Sequence, residues 1–298
     1  MSVKESRVGS RVCVPPFKIH HPVSQTVPLV FASPHSGCEY PEDFVAGSRL
    51  DPLSLRRSED GFVDDLFNAA PEYGAPLLRA TFPRAFVDAN REPFELDQRM
   101  FSDSLPDYVN TESSRVAAGL GTIARVVSNG QDIYPRKLTF AEAEARINSY
   151  YRPYHKALKT LIHDTRKNFG HCVVVDCHSM PSIGGPLDPD VGHGRADFVV
   201  GDCFGSTCAP YITDAIERTI ASFGYVVGRN KPFAGGFTTR HYGQPRDHVH
   251  TVQIEINRAL YMNEVKIEKN AGFERVMAQM TDVIAALAQL MTHNLAAE

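Results

Sequence analysis

The 298-residue chain lacks the features that mark several broad classes of protein. It has no apolar run near the roughly 20 residues that a membrane-spanning helix needs. It also has no block of Lys or Arg that would indicate a nucleic-acid partner. The net charge is -4, and the charged fraction of 22% is near the globular average. We therefore expect neither a membrane protein nor a nucleic-acid-binding protein, and 43% hydrophobic residues suffice for a sizeable core.

Paired cysteines are also absent. The six cysteines are scattered through the chain and none belongs to a CxxC pair. We expect reduced thiols and neither a disulfide framework nor a cysteine-rich zinc knuckle. Residues 1–10 are polar and no long apolar segment follows them, so we expect no secretory signal and a cytoplasmic protein.

The motifs of nucleotide binding and of serine hydrolases are missing as well. Neither GxGxxG nor GxxxxGK[ST] occurs, and Ser179 lies in no GxSxG elbow. Cys177 and His178 are adjacent on an expected strand, where neighbouring side chains face opposite ways. They therefore cannot act as a nucleophile and its base.

Short apolar runs that predict strands alternate with helical patterns along the chain. The runs at 172–177 and 197–201 are almost continuously apolar, which is typical of strands buried on both faces of a sheet. Asn129-Gly130 between apolar flanks predicts a hairpin. The predicted strands are 28–33, 76–80, 85–88, 172–177, 197–201, 225–228 and 250–256.

The helical patterns carry their own start and stop signals. Thr139 followed by Glu142 has the spacing of a capping box and predicts the start of a long helix. Pro153 is expected to kink or split that helix near Tyr151, and Gly170 to end it. Further helices are predicted at 59–70, with Ser58 as the N-cap, at 208–222 and at 264–292.

The alternation of strands and helices predicts an α/β fold, a three-layer α/β/α sandwich with a mostly parallel mixed sheet. Residues 1–25 are expected to form a polar arm, and residues 26–298 a single domain. Two long loops rich in Gly and Pro, 179–196 and 230–247, follow strands. Ligands of α/β folds bind beyond the carboxyl ends of strands, so we expect these loops to border the site.

Two apolar strands end on a histidine. "VFASPHS" presents His35 and "VVVDCHS" presents His178, while "TVQIEIN" carries Glu255 late in an apolar strand. "RRSEDGF" places Glu59 and Asp60 at an expected helix start. Two histidines and a carboxylate are a ligand set of catalytic zinc with water in the fourth position, and a further carboxylate can act as general base.

The same residues could instead have purely structural roles. A single histidine at a strand end is usually hydrogen-bonded and not a metal ligand, and no HExxH or short HxxE motif occurs. Glu59 and Asp60 could favour a helix N-terminus, where the dipole welcomes negative charge. Glu255 could be the buried ion-pair partner of Arg258.

Arginines give a second indication of chemistry. Arg84 and Arg91 flank a predicted strand, and Arg240 lies in the second glycine-rich loop. Their forked guanidinium groups suit carboxylates. Asp88 and Arg91 could instead bridge each other, so binding and structural roles are equally open for Arg84 and Arg91. The candidate substrate-binding residues are Arg84, Asn90, Arg91, Arg240 and His241.

Five segments, in order, resemble the N-formylglutamate amidohydrolase family. They are "SPHSGCEYP", "RSEDGFVDDLF", "PRAFVDANR", "VVDCHSMPS" and "NKPFAGGFTTRHYG…VQIEINRALY", spread from about residue 28 to residue 262. The resemblance implies a phosphorylase/hydrolase-like α/β fold, akin to zinc carboxypeptidases and aspartoacylase-type deacylases. It also implies that residues 26–298 form a catalytic domain.

The resemblance further implies a metal-dependent amidohydrolase that cleaves N-formyl-L-glutamate to L-glutamate and formate, the last step of one route of histidine breakdown. Its partner would be a small N-acyl amino acid. His35 and His178 would bind Zn2+ or another divalent metal, and Glu255 would be the general base. Arg91 and Arg240 would suit the carboxylates of the substrate.

The third metal ligand is chosen among three carboxylates. Glu39 follows His35 by four residues, a spacing that does not match the carboxypeptidase-like motif. Divergent family members keep the aspartate of the "ED" pair, so Asp60 ranks before Glu59, and Glu39 comes third. Two other functions stay open: a related deacylase of another N-acyl amino acid, and a non-catalytic protein that binds an acidic metabolite.

Overall fold

The computed structural model describes the backbone of residues 14–295 and the side chains of residues 14–292. A seven-stranded sheet with the order β1-β3-β2-β4-β7-β5-β6 forms its centre. The strands are β1 Phe17–His20, β2 Leu29–Ser33, β3 Leu77–Ala80, β4 Cys172–Met180, β5 Phe198–Gly201, β6 Val227–Arg229, β7 Val249–Asn257 and, in a separate ribbon, β8 Met262–Asn263 and β9 Glu268–Lys269.

Helices cover both faces of this sheet. The α-helices are α1 Glu42–Ala46, α2 Pro52–Leu55, α3 Val63–Leu66, α4 Ser114–Ala117, α5 Phe140–Arg146, α6 Arg152–Phe169, α7 Pro210–Ser222, α8 Phe237–Tyr242 and α9 Phe273–Leu295. A π-helical turn, Ile147–Tyr151, joins α5 to α6. The 3-10 helices are Arg56–Ser58, Ala70–Tyr73, Gln98–Met100, Pro245–Asp247 and Arg258–Leu260.

The sheet is mixed but mostly parallel. β2 pairs in parallel with β3 and β4, β4 with β7, and β5 with β6, whereas β1–β3 and β5–β7 are antiparallel. Alternate residues of β2 enter opposite layers of the core: Phe31 packs with α3, α7 and α9, and Val30 packs with α5 and α6. This alternation follows from the period of two in a strand, and it confirms the predicted three-layer α/β/α sandwich.

The signals around the long helix act as the sequence predicts. The Thr139 side chain accepts from the Glu142 amide, and the Glu142 side chain accepts from the Thr139 amide, so the capping box is formed. Helical backbone continues from α5 through the π-helical turn into α6, and Pro153 follows that turn by two residues. The helix therefore changes its hydrogen-bonding pattern near Tyr151, where the proline is expected to kink or split it. Gly170 ends α6 with a φ of 76°.

Two predicted elements are wrong for local reasons. Residues 85–88 form a turn and not a strand, because the amides of Phe86 and Val87 both donate to the carbonyl oxygen of Pro83. The helix predicted at 59–70 is reduced to the single turn of α3, since Phe62 before it has a left-handed φ of 64°. Ser58 is no N-cap: its Oγ accepts from the amide of Ser128 at 3.0 Å.

Three further elements also differ from the prediction. The helix expected from 264 begins only at Phe273, because residues 262–269 form the ribbon of β8 and β9. Asn129-Gly130 forms a turn closed by a single bridge between Val126 and Asp132, without flanking strands. β1 was not predicted: it lies inside the expected arm 1–25 and pairs with β3.

The described residues test some of the other predictions only in part. Residues 1–13 of the expected arm, Cys13 among them, lie outside the described range, so the division into an arm and one domain stays a prediction. Cys38, Cys172, Cys177, Cys203 and Cys208 are free thiols. None of the helices between residues 14 and 295 combines the length and the apolar character that crossing a membrane requires.

Candidate active site

The sheet order brings the two histidines to one edge. β2 and β4 are parallel neighbours, and His35 follows the end of β2 while His178 lies near the carboxyl end of β4. On the other side of β4, β7 places Glu255 directly opposite His178. Three segments that are distant in sequence therefore converge beyond the carboxyl ends of three adjacent strands, where α/β folds bind ligands.

The turn after β2 holds His35 against the rest of the protein. A Cβ atom on Gly37 would lie 2.1 Å from the carbonyl oxygen of Phe82, so only glycine permits this close approach of two backbones. The hydroxyls of Ser33 and Ser36 hydrogen-bond to each other, and Ser36 Oγ also accepts from the amide of Asp64 at 3.1 Å. The Ser/Pro/Gly turn thus fixes the position of a buried histidine.

Asp60 completes a group of three buried side chains. Its amide donates to the carbonyl oxygen of His35 at 3.1 Å. Its Oδ2 lies 2.9 Å from His178 Nδ1 and 3.3 Å from His35 Nδ1. One ligand atom from each of the three residues lies within 4.8 Å of the others, so the group could hold a metal ion.

A second layer of carboxylates orients both histidines. His35 Nε2 lies 2.7 Å from Asp88 Oδ1, and His178 Nε2 lies 3.0 Å from Asp176 Oδ1. Histidines that bind metals usually donate the other ring N–H to a carboxylate. If both rings bind a cation through Nδ1, their Nε2 atoms carry the protons and face these carboxylates. Within the described residues, His35 Nδ1 is buried without a hydrogen bond, as a site for a cation would leave it.

The charges of the site also call for a cation. Burial works against the carboxylate form, but the neighbouring imidazoles of His178 and His35 hold the pKa of Asp60 well below its usual range. Burial also disfavours a charged imidazole, yet the carboxylates of Asp176 and Asp60 raise the pKa of His178 well above its usual value. The same carboxylates that favour a positive charge on His178 would also favour a bound cation.

Glu255 is a buried carboxylate with a raised pKa beside this group. Burial raises its pKa to about 7, with His178 opposing the shift and Asp60 adding to it. Gln253 Nε2 donates to Oε1 of Glu255 at 2.7 Å. A carboxyl group that titrates near neutrality beside a potential metal group is suited to proton transfer. Arg258 is not its close partner, because that side chain binds Asp60 Oδ1 at 2.9 Å.

The other two candidate ligands lie elsewhere. Glu59 is held by Arg56, whose Nε lies 3.1 Å from both carboxylate oxygens, and by the hydroxyl of Tyr40 at 2.6 Å. Glu39 is exposed, and with Glu59 it lines a separate cavity. Of the three carboxylates considered from the sequence, the structure brings Asp60 to the histidines.

A cavity of about 210 Å³ opens beside the histidines and Glu255. Arg84 lies in its wall, with Nη2 donating to Asp88 Oδ2 at 2.8 Å and Nη1 3.8 Å from Asp60 Oδ1. Asn90 also lines it: its Oδ1 accepts from the amide of Thr238 at 2.7 Å. Asn90 therefore ties the cavity wall to α8.

Arg91 and Arg240 line the same cavity. Arg91 donates to the carbonyl oxygens of Leu120 at 3.0 Å and Asn90 at 3.1 Å, and its nearest approach to Asp88 is 4.0 Å. The close partner of Asp88 is thus Arg84 and not Arg91. Burial lowers the pKa of Arg91 to about 10, which leaves it charged at neutral pH.

At two positions the lining of the cavity differs from the residues chosen from the sequence. His241 does not line the cavity: its ring stacks on Phe237 at 4.7 Å in a separate cavity. Neighbours in a helix point about 100° apart, so α8 turns His241 away when Arg240 faces the site. Arg115 of α4 was missed: it lines the cavity, and no ion pair of its side chain occurs among the described residues. No motif in the sequence marks it.

Asp176 was missed although a signal exists. It precedes His178 by two residues on one strand, and residues two apart share a face of the sheet. The period of two could therefore have placed Asp176 beside the ring of His178.

Comparisons with known proteins identify the family of the chain. The sequence model of the family described as N-formylglutamate amidohydrolase matches residues 27–262. The chain belongs to the N-formylglutamate amidohydrolase family. It is 31% identical over 243 residues to an N-formylglutamate deformylase of Pseudomonas aeruginosa, covering 80% of this chain and 83% of that one. It is 27% identical over 262 residues to that of Pseudomonas putida, covering 87% and 89%.

A solved structure supports the same family. The crystal structure of N-formylglutamate amidohydrolase from Ralstonia eutropha JMP134 matches with a TM-score of 0.86 at 37% identity, covering 94% of this chain and all of that one. The family, the fold and the class of enzyme predicted from the sequence, a hydrolase of an amide bond, are thereby confirmed.

Proposed function

We propose that the protein hydrolyses N-formyl-L-glutamate to L-glutamate and formate, with Glu255 as general base beside a divalent cation. The observation that supports this most directly is the buried group of His35, Asp60 and His178 facing a glutamate whose pKa is about 7. Relatives named N-formylglutamate deformylase span most of the chain and support the choice of substrate.

His35, Asp60 and His178 would hold the cation, and we propose Zn2+. Two imidazole nitrogens and one carboxylate oxygen suit zinc, and a catalytic site leaves one further position open. When bound, such a cation polarises a carbonyl group and makes water more acidic. The paired Asp88 and Asp176 would keep both imidazoles in the tautomer that binds it.

Glu255 would first accept a proton from water and then donate it to the leaving amine. Its Oε1 already accepts from Gln253, so Oε2 is the oxygen that takes the proton from the attacking water. The new carbon–oxygen bond forms at the formyl carbon. The same proton then passes to the amine nitrogen as the carbon–nitrogen bond breaks, which gives formic acid and the neutral amine. The acid then loses its hydroxyl proton and the amine gains one, so that formate and L-glutamate leave with atoms and charges balanced.

Arg84 would stabilise the charge that develops on the formyl oxygen. Its guanidinium group lies in the cavity wall beside Asp60 and is held in place by Asp88. A fixed cationic donor next to the reacting carbon favours the tetrahedral intermediate over the planar amide.

The remaining arginines would bind the carboxylates of the acidic substrate. Arg91, Arg115 and Arg240 line the cavity. Among the described residues neither Arg115 nor Arg240 forms an ion pair with a carboxylate, and the guanidinium group of Arg240 donates to the carbonyl oxygen of Gly235 at 2.9 Å. A cavity with uncompensated guanidinium groups favours a dianion such as N-formyl-L-glutamate over a neutral amide.

Formate release from purified protein tests the proposal. N-formyl-L-glutamate, N-formyl-L-glutamine and N-acetyl-L-glutamate are compared, each with and without a chelator. We expect release that the chelator abolishes, with N-formyl-L-glutamate the best substrate. Preferred cleavage of N-acetyl-L-glutamate would contradict the substrate and favour a related deacylase. Full activity in a thoroughly chelated sample would contradict the role of the cation.

We also propose that the reaction is the last step of a route of histidine breakdown in the cytoplasm, as the family resemblance implies. Deletion of the gene in the host should then prevent growth on histidine as the carbon source, and a plasmid copy should restore it. Unchanged growth with accumulation of no formylated product would contradict this placement.

A further inference from the structure

A second cavity lies on the outer side of α8, between that helix and α6. Its volume is about 480 Å³, and it shares no lining residue with the cavity beside His178. Rings of Tyr151, Phe237 and His241 line it, and so do the cationic side chains of α6. It therefore lies outside the machinery of the proposed hydrolysis.

The charge of this cavity is uncompensated. Arg152, Lys156 and Lys159 follow one another at spacings of four and three residues, so they are neighbours on one face of α6. No Asp or Glu lines the cavity, and no ion pair of these three residues occurs within the described part of the chain. Like charges at these spacings repel each other, and a bound anion would relieve the repulsion. The cluster is notable in a chain with a net charge of -4.

Flat rings provide the other wall. Phe237 and His241 stack with centroids 4.7 Å apart and planes 16° apart. His155 and Tyr242 are also nearly parallel, at 5.9 Å and 18°. Burial lowers the pKa of His155 to about 4 and also lowers that of His241, so both rings are uncharged at neutral pH. The cavity thus combines neutral ring faces with a cationic rim.

We propose that this cavity binds a small planar anion, an aromatic or heteroaromatic carboxylate. Its ring would lie against Phe237 and His241, and its carboxylate would meet Lys156 and Lys159. The ring faces select a flat apolar group, and the unpaired lysines select a negative charge. Neither feature alone distinguishes such a ligand from a simple anion or a neutral aromatic molecule.

The site would also lie next to groups that position the active site. The hydroxyl of Tyr151 donates to the carbonyl oxygen of Arg91 at 2.8 Å, and His155 Nε2 lies 2.8 Å from the carbonyl oxygen of Ala89. α8 carries His241 on this cavity and Arg240 on the other. An occupant would therefore contact the helical segments that support Arg91 and Arg240.

Calorimetric titration of the full-length protein with benzoate tests the proposal. We expect saturable binding that weakens by about fivefold or more in a Lys156→Gln/Lys159→Gln double variant, because two ion pairs are lost. Lys167→Gln on the same helix, outside the cavity, is the matched control and should bind as the wild type does. Unchanged formate release and an unchanged melting temperature would show that the double variant is folded.

The chemistry of the probe is tested in the same way. Cyclohexanecarboxylate keeps the charge without a flat ring, benzamide keeps the ring without the charge, and inorganic phosphate is a simple anion. We expect benzoate to bind more tightly than all three. Equal binding of phosphate or cyclohexanecarboxylate would overturn the assignment of a planar ligand.

The location is decided by a third variant. Arg115→Gln alters the active-site cavity and leaves the second cavity intact. Benzoate affinity that falls in Arg115→Gln but not in the double lysine variant would place the ligand in the active site and overturn the proposal. An absence of saturable binding to the wild type would overturn it as well.

Discussion

His178 and Glu255 face each other on the neighbouring parallel strands β4 and β7. His178 also lies 2.9 Å from Asp60, so one strand pair carries the candidate base and one member of the candidate ligand group. Backbone hydrogen bonds of the central sheet, and not a mobile loop, therefore set the spacing between them. Sites built on strands in this way hold their geometry more closely than sites built on loops.

Replacing Glu255 with Gln should leave the metal bound and lower kcat by about 10²–10⁴-fold, because the variant keeps the volume but cannot take a proton. Formate release and metal content per chain are the two measurements. Glu268→Gln, at an exposed position of β9, is the control and should keep full activity. Turnover within tenfold of the wild type would remove Glu255 from the role of base, since that loss is below the roughly 10² expected.

The pH dependence follows from the raised pKa of Glu255, which burial brings to about 7. The base works as a carboxylate, so kcat/KM should fall as the pH drops below this pKa. This acidic limb of the pH profile should have the slope of a single protonation. A bound divalent cation favours the carboxylate and moves the limb to lower pH. Gln253→Leu removes a hydrogen bond to the carboxylate and should move the limb to higher pH. A limb that does not move in this variant would argue against Glu255 as the titrating group.

Asp176→Asn should weaken metal binding by about 10–100-fold, because Asp176 is the carboxylate beside Nε2 of His178. Competition with a chromophoric chelator measures the change in affinity. Asp282→Asn, exposed on α9, serves as the control. Equal affinities in both variants would show that Asp176 does not support the histidine.

Arg115→Gln should lower kcat/KM for N-formyl-L-glutamate by about 10–100-fold, the range expected when a hydrogen bond to a charged group is lost. N-formyl-L-glutamine lacks the side-chain carboxylate and N-formyl-4-aminobutyrate lacks the α-carboxylate. The loss should disappear with the analogue that lacks the carboxylate bound by Arg115. Arg275→Gln, exposed on α9, is the control. A loss of equal size for all three substrates would indicate a structural role.

Gly37→Ala should destabilise the protein by about 1–3 kcal/mol and impair metal binding, because its Cβ would lie 2.1 Å from the carbonyl oxygen of Phe82. Relief of this clash moves the turn that carries His35. Urea unfolding and metal affinity are measured together. Gly194→Ala has no atom within 4 Å of its new Cβ and should be tolerated. Equal stability of the two variants would contradict the close approach.

Local patterns were sufficient for much of the fold. The apolar runs at 172–177 and 250–256 became the adjacent strands β4 and β7, because a strand buried on both faces needs apolar side chains at nearly every position. Thr139 and Glu142 start the long helix through hydrogen bonds within one turn. The strand predicted at 85–88 is wrong because an apolar run of four residues can be buried in a turn as well as in a strand.

The sequence by itself determined which residue types stand at the ends of the strands, with His35, His178 and Glu255 among them. Tertiary structure decided which of them meet. Asp60 is 118 positions away from His178, and Glu59 beside it turns to Arg56 instead. Side-chain periodicity encodes local exposure, whereas convergence depends on strand order and register. Packing over the whole chain sets the strand order and the register. For that reason the sequence did not reveal that Arg115 lines the active-site cavity and that His241 lines the other one.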